Sequence, residues 1–153
     1  MFDELPQRSA SGAAGTWATV AVSPTGANDT GFMRIAFTSI TEKPGSSGLT
    51  LLGSTNRGLY ASINGGSNWF RVATSGPASM HTALAAVQYG VGASPVVWAA
   101  DRGGGVYCST NDGGTWVSAG QAGAPVIALK YMNGQMHALT DGAGVYRIAA
   151  SCP

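Results

Sequence analysis

Short apolar or alternating runs recur along the chain, and Gly, Asn and Ser interrupt them every 8 to 12 residues. Long i, i+3, i+4 stripes are missing. Strand side chains alternate between two faces, and tight turns favour these small residues, so the pattern predicts many short strands and an all-β fold. The runs also repeat. One unit reads Gly58-Leu59-Tyr60-Ala61-Ser62-Ile63-Asn64-Gly65-Gly66-Ser67-Asn68-Trp69, and a second reads Gly105-Val106-Tyr107-Cys108-Ser109-Thr110-Asn111-Asp112-Gly113-Gly114-Thr115-Trp116. Tyr and Trp stand 9 residues apart in both, and the two Trp are 47 apart. A third unit opens with Gly144-Val145-Tyr146-Arg147. Ahead of each Tyr lies a short strand ending in Asn or Asp (51–56, 96–101, 136–141), and ahead of that another (32–40, 82–89, 126–132). Each unit therefore predicts four strands: inner, second, third with the Tyr, and outer from the Trp. A four-stranded antiparallel unit of this length is the size of one β-propeller blade. Blades are expected at 32–75 and 81–120, with an incomplete third at 125–148, in a single domain over 1–153.

The repeat spacing puts a third Trp at 155, while the sequence ends at Pro153. At the other end, Gly15-Thr16-Trp17 repeats Gly114-Thr115-Trp116, so residues 16–22 read as an outer strand with no third strand before it. The expectation is that this N-terminal strand closes the last blade, which would otherwise leave an open edge. Three blades are too few for a closed propeller. Oligomerisation is expected to complete the ring, with a six-bladed dimer the simplest closure. Packing of an open wedge onto a larger protein assembly is the alternative.

The stretches Ser62 to Trp69 and Ser109 to Trp116 resemble the Asp-box: Ser/Thr, any, Asp, any, Gly, any, Thr, Trp. This motif marks the blades of sialidases and other BNR-repeat propellers. Ser109, Gly113, Thr115 and Trp116 keep the pattern, with Asn111 at the Asp position. Ser62, Gly66 and Trp69 keep it in the first copy, with Asn64 for Asp and Asn68 for Thr. The resemblance implies a propeller fold and structural roles on the outer rim. It implies no chemistry. Physically, Asn at the third position can accept bonds from backbone N–H groups ahead of it. The Gly can take positive φ, and the Trp ring can cover the turn.

Composition narrows the function. Hydrophobic residues make up 44% of the 153, enough for a core. Charged residues are only 10%, against a usual ~25%. The balance of 8 Lys+Arg to 7 Asp+Glu excludes the clustered basic surface that nucleic acid or an anionic membrane requires. No apolar run reaches the ~18 residues of a spanning helix, so membrane insertion is not expected. The first eight residues are polar, without a signal-peptide core. An extracellular, virion or cell-surface location suits the low charge and the Gly/Ser/Thr-rich surface. Two cysteines make neither a disulfide framework nor a metal site. Cys108 lies in an apolar stretch and reads as a buried free thiol; a bond to Cys152 stays open.

Catalysis is disfavoured. A glycosidase needs two carboxylates at a set separation. Asp3 and Glu4 are terminal, Asp29 and Glu42 lie in loops, and Asp112 is in the turn motif. Asp101 and Asp141 occupy equivalent turns before Gly. Met33-Arg34-Ile35-Ala36 only echoes the Arg-Ile-Pro that opens sialidases. His81 and His137 are single and lie in different units; Gly45-Ser46-Ser47-Gly48 is no nucleophile elbow; Gly103-Gly104-Gly105 opens no helix. Asn28-Asp29-Thr30 is a formal glycosylation sequon. No metal and no cofactor are implied. Ligand reading needs exposed aromatics and a few polar groups. Trp98, Tyr89 and Tyr131 are the aromatics outside both repeated series, and Arg57, Arg102 and Asp101 follow or end second strands. These six are the candidate binding residues. The expected function is a non-enzymatic recognition module for glycan or protein. A structural subunit of a larger assembly, such as a phage tail, virion or cell-surface apparatus, is the alternative. A glycosidase-like enzyme is the least favoured.

Overall fold

The structure, a computed structural model, describes residues 7–23, 35–73, 75–76, 83–92, 95–148 and 151–153. Asp3, Glu4, Asn28 to Thr30, Met33, Arg34 and His81 lie outside the described residues. Among the described residues there are fourteen strands and no helix. The first three are short: β1 (Gln7–Arg8), β2 (Ala18–Thr19) and β3 (Ala21–Ser23). The first blade-like sheet holds β4 (Phe37–Glu42), β5 (Leu51–Thr55), β6 (Gly58–Ser62) and β7 (Asn68–Arg71), each antiparallel to the next. The second holds β8 (Leu84–Tyr89), β9 (Val97–Asp101), β10 (Gly105–Ser109) and β11 (Val117–Gln121). The third holds β12 (Val126–Met132), β13 (Gln135–Thr140) and β14 (Gly144–Ile148).

The sheets are layered in chain order, because each strand carries apolar residues on both faces. Leu52, Leu59 and Ala61 of the first sheet pack with Leu84, Val87, Tyr89 and Val97 of the second. Ala86, Trp98, Val106 and Cys108 of the second pack with Leu129, Met136, Ala138 and Ile148 of the third. A third cluster, Val20, Tyr60 and Trp69 with Val22, Ile35, Phe37 and Leu51, covers the opposite face of the first sheet. There Gly53 is required by close approach: a Cβ at this position would lie 2.4 Å from the Phe37 ring.

The inner strands β4 and β8 are joined by hydroxyls. The Val87 N–H donates to Ser39 Oγ at 2.7 Å, and Ser39 Oγ donates to the Val87 carbonyl at 3.2 Å. The Tyr89 N–H donates to Thr41 Oγ1 at 3.1 Å, and Thr38 Oγ1 donates to the Leu84 carbonyl at 3.0 Å. These bonds satisfy edge groups of β8 that no strand ladder reaches.

Within the chain, β2 pairs with β1, and β3 pairs in parallel with β7, Ala21 opposite Asn68 and Val22 opposite Trp69. The physical reason is proximity: apolar Val20 and Val22 find the Tyr60–Trp69 surface in their own chain. One expectation needs correction. Cys108 is not a free thiol. It is bonded to Cys152, 44 residues on, and Cys152 packs against the cluster between the second and third sheets. A buried position at one partner and a terminal one at the other carried no local signal of pairing.

Candidate functional site

The two Trp-bearing turns are built alike. In the first, Ser62 Oγ accepts from the Gly66 N–H at 2.8 Å and donates to Asn64 Oδ1 at 3.0 Å, and Asn64 Oδ1 accepts from the Asn68 N–H at 3.0 Å. In the second, Ser109 Oγ accepts from the Gly113 N–H at 3.0 Å and donates to Asn111 Oδ1 at 2.9 Å. Asn111 Oδ1 accepts from the Thr115 N–H at 2.8 Å, and the Trp116 indole N–H donates to the Gly113 carbonyl at 2.9 Å. Gly66 and Gly113 both hold positive φ, 83° and 88°. Asp112 leaves this network and faces the first sheet. Its Oδ2 accepts from Lys43 Nζ at 2.5 Å and its Oδ1 from the Tyr89 hydroxyl at 3.0 Å. Burial, with the Asp112 charge adding to it, holds the Tyr89 phenol well above the usual tyrosine range.

Five of the six candidate binding residues are buried or half-buried in the fold. Trp98 is 0% exposed, in the cluster between the second and third sheets, so it has no free face for a sugar to stack on. Tyr89 is 2% exposed and bonded to Asp112. Asp101 Oδ1 accepts from the Gly103 and Gly105 N–H groups at 2.8 and 2.9 Å, and its Oδ2 accepts from the Tyr107 hydroxyl at 2.9 Å. That carboxylate is a turn cap. Tyr131 is half-buried, packed on the same cluster as Trp98. Arg57 is also half-buried, and the turn around it is held by its own N–H donating to Thr55 Oγ1 at 2.9 Å.

Arg102 differs. It is exposed and lines a cleft of about 350 Å³ with Thr38, Ala85, Pro125, Val126, Ile127 and Asp141. The cleft gathers the starts of β4, β8 and β12, together with turns of the second and third sheets. Asp141 is the residue that sequence reasoning set aside as a turn former. Its backbone N–H donates to the Pro125 carbonyl at 2.9 Å, while its side chain makes no hydrogen bond among the described residues. Strand register explains both outcomes. Thr55 and Thr140 lie opposite Gly58 and Gly144, and each donates its hydroxyl to that glycine's carbonyl. Asp101 holds the same position before Gly105 but accepts from that glycine's N–H instead, so Arg102 and Asp141 share the next position in the turn. Counting from the terminal glycine would have found this; counting from the Asp hid it.

No known family model matches the sequence, and no curated protein matches it. Solved structures do resemble the fold. YCF48 bound to D1 peptide matches with a TM-score of 0.56 at 13% identity, over 74% of this chain and 36% of that one. The computationally designed Ika8 protein matches at 0.53 and 14%, over 75% and 33%. An ancestral GH74 enzyme matches at 0.51 and 17%, over 75% and 17%. The chain thus spans about a third of the first two and less of the third. At these identities the likeness concerns fold alone, and that fold is β-propeller-like.

Proposed function

We propose that this chain is a non-enzymatic recognition module, an Asp-box propeller segment that binds a polypeptide partner in the cleft of Arg102 and Asp141 and works as a homo-oligomeric ring. The cleft carries the reading: one cation and one carboxylate, each without a side-chain hydrogen bond among the described residues, flank its apolar floor. Among the described residues no aromatic lines it, which favours polypeptide over glycan, because sugars are read by stacking. The partner of a propeller-like neighbour, the D1 peptide of YCF48, belongs to the same class. Asp101 and Asp112 spend their oxygens on structural bonds, so Asp141 is left, among the described residues, as the single carboxylate lining the cleft. The described residues assemble no pair of carboxylates for glycoside hydrolysis there.

The matched bond pattern of the Ser62 and Ser109 turns supports the Asp-box reading. The parallel pairing of β3 with β7 supports the ring. The loop after β7 makes the same link to the next sheet, a parallel bridge from Ser75 to Thr115, and Thr115 matches Asn68 in the repeat. The N-terminal segment therefore stands before the first sheet as β7 stands before the second. On this reading it serves as the outer strand of a preceding blade, which a second copy's β12–β14 would supply; a six-bladed dimer is the smallest such ring. A Cys108–Cys152 disulfide supports an oxidising location, extracellular or at a virion or cell surface. Exposed Ile40, Ile127 and Val145 equally favour a structural subunit of a larger assembly as the second reading.

The test is a displayed random-peptide library beside a glycan array. Enriched peptides should lose binding at least tenfold in Arg102→Glu and in Asp141→Lys. Peptides indifferent to both changes, or sugar hits alone, would refute the cleft as a polypeptide site.

A further inference from the structure

Each sheet turns one face to the sheet before it in sequence and the other to the sheet after it. The pairing registers align the three sheets position by position. On the forward face a cross-strand row reads Thr41–Leu52–Ala61 in the first sheet and Gln88–Trp98–Cys108 in the second. In the third it reads Lys130–His137–Arg147. On the rearward face, the position paired with Leu51, Val97 and Met136 is occupied by Glu42, Tyr89 and Tyr131 respectively.

The two internal seams show what this rearward residue meets. Tyr89 joins the cluster that holds Leu52 and Ala61, and its N–H donates to Thr41 Oγ1. Tyr131 packs against the cluster that holds Trp98 and Cys108. Twice an aromatic residue sits on a row with an apolar centre. The one remaining forward row carries Lys130 and Arg147 on either side of His137, and the residue at the one remaining rearward position is an acid. The neighbouring positions match in apolar character. Ile40 occupies the rearward site filled by Val87 and Leu129, both buried, yet it is 54% exposed. The third sheet's other forward row is Ala128–Leu139–Val145, with Val145 62% exposed. A cleft of about 320 Å³ on the rearward face of the first sheet is lined by Phe37, Ile40, Leu51 and Trp69 together with Arg8 and Val20 of the N-terminal segment.

We propose that these two faces bind each other in trans: the Glu42 carboxylate of one copy accepts hydrogen bonds from Lys130 and Arg147 of a second, with Ile40 packed on the row of Val145. This deepens the ring reading above and rests on it. Charge complementarity at matched positions selects a second copy over an unrelated partner. It also sets polarity, since a like-to-like contact would oppose Lys130 and Arg147 to their own copies.

The experiment measures association of the intact chain by sedimentation across a concentration series. Lys130→Glu and Glu42→Lys should each weaken association at least tenfold, and the double variant Glu42→Lys/Lys130→Glu should recover most of the loss. Glu42→Gln is the milder probe. It keeps the acceptor that the Gly48 N–H uses at 2.6 Å and removes only the charge. Association of the wild-type chain should also weaken with salt. An oligomer whose dissociation constant is unmoved by these changes overturns this interface while leaving the ring reading intact. A wild-type chain that stays monomeric throughout overturns both.

Discussion

Reduction of the Cys108–Cys152 bond should remove a large share of the stability of the fold. The link spans 44 residues and encloses β11 to β14. Cross-linking a loop of that length removes unfolded-chain entropy worth about 4 kcal/mol on the loop-closure estimate. A domain of this kind is stable by only about 5–15 kcal/mol in total. Cys152→Ser is the better variant, because Cys152 is partly exposed while Cys108 is fully buried in apolar surroundings. The Cys108 thiol left behind is a small apolar group that such a site tolerates. With a urea slope of about 2 kcal/mol per molar, the unfolding midpoint should fall by roughly 2 M. Unfolding should be followed with and without reductant; the wild-type chain should converge on the variant when reduced. A shift below about 1 kcal/mol, or two thiols titrating in the unreduced unfolded chain, would refute the reasoning.

Three further outcomes follow from the same geometry. The Tyr89 phenol is held neutral in the fold, so the unfolded chain loses its proton first as pH rises. Stability is full below about pH 10 and falls by about 1.4 kcal/mol per pH unit above it; Tyr89→Phe should remove that part of the slope in alkaline melts. Ser109→Ala strips the buried Gly113 N–H of its acceptor and should cost about 1–3 kcal/mol in chemical denaturation, with Ser62→Ala matching it at Gly66. Gly113→Ala adds a Cβ 2.7 Å from Leu59 Cδ2 at a φ of 88°, whereas Gly134→Ala at 75° meets open space; thermal melts should show the first costing about 1–3 kcal/mol more.

The repeat was legible because its chemistry is local. Ser62, Asn64, Gly66 and Trp69 lie within eight residues, and their bonds never leave the turn. What lay between repeats was misread for a physical reason. Trp98 and Tyr89 stood outside the repeated series, which suggested surfaces free for ligand. In a stack of sheets, however, each unit must fit a different neighbour, so non-repeated positions are where the seams are filled. Strands buried on both faces, such as Val97–Asp101, show no alternation that would have flagged Trp98 as core. The disulfide joins residues with no shared local pattern. The cleft was half visible: Arg102 was identified, but Asp141 was hidden by a turn in which the capping residue is Asp in one sheet and Thr in the others.

The few charges point the same way. Where only 10% of residues are charged, each one's position is informative. Among the described residues, Lys43 and Asp112 pair across the first seam, Asp101 caps its turn, and Glu42 accepts from the Gly48 N–H. Of the remaining basic and acidic groups, four fall in two places. Arg102 and Asp141 flank the cleft at the starts of the inner strands. Lys130 and Arg147 lie on the open face of the last sheet, on the row whose centres in the other two sheets are the buried apolar Leu52 and Trp98. Two or three charges on a row that elsewhere seats an aromatic ring are costly to bury against another apolar face. They are favourable only against an acid, and in the proposed ring Glu42 is the residue that would stand opposite them. On that proposal the chain's sparse charge separates a surface for a partner from a surface for a second copy.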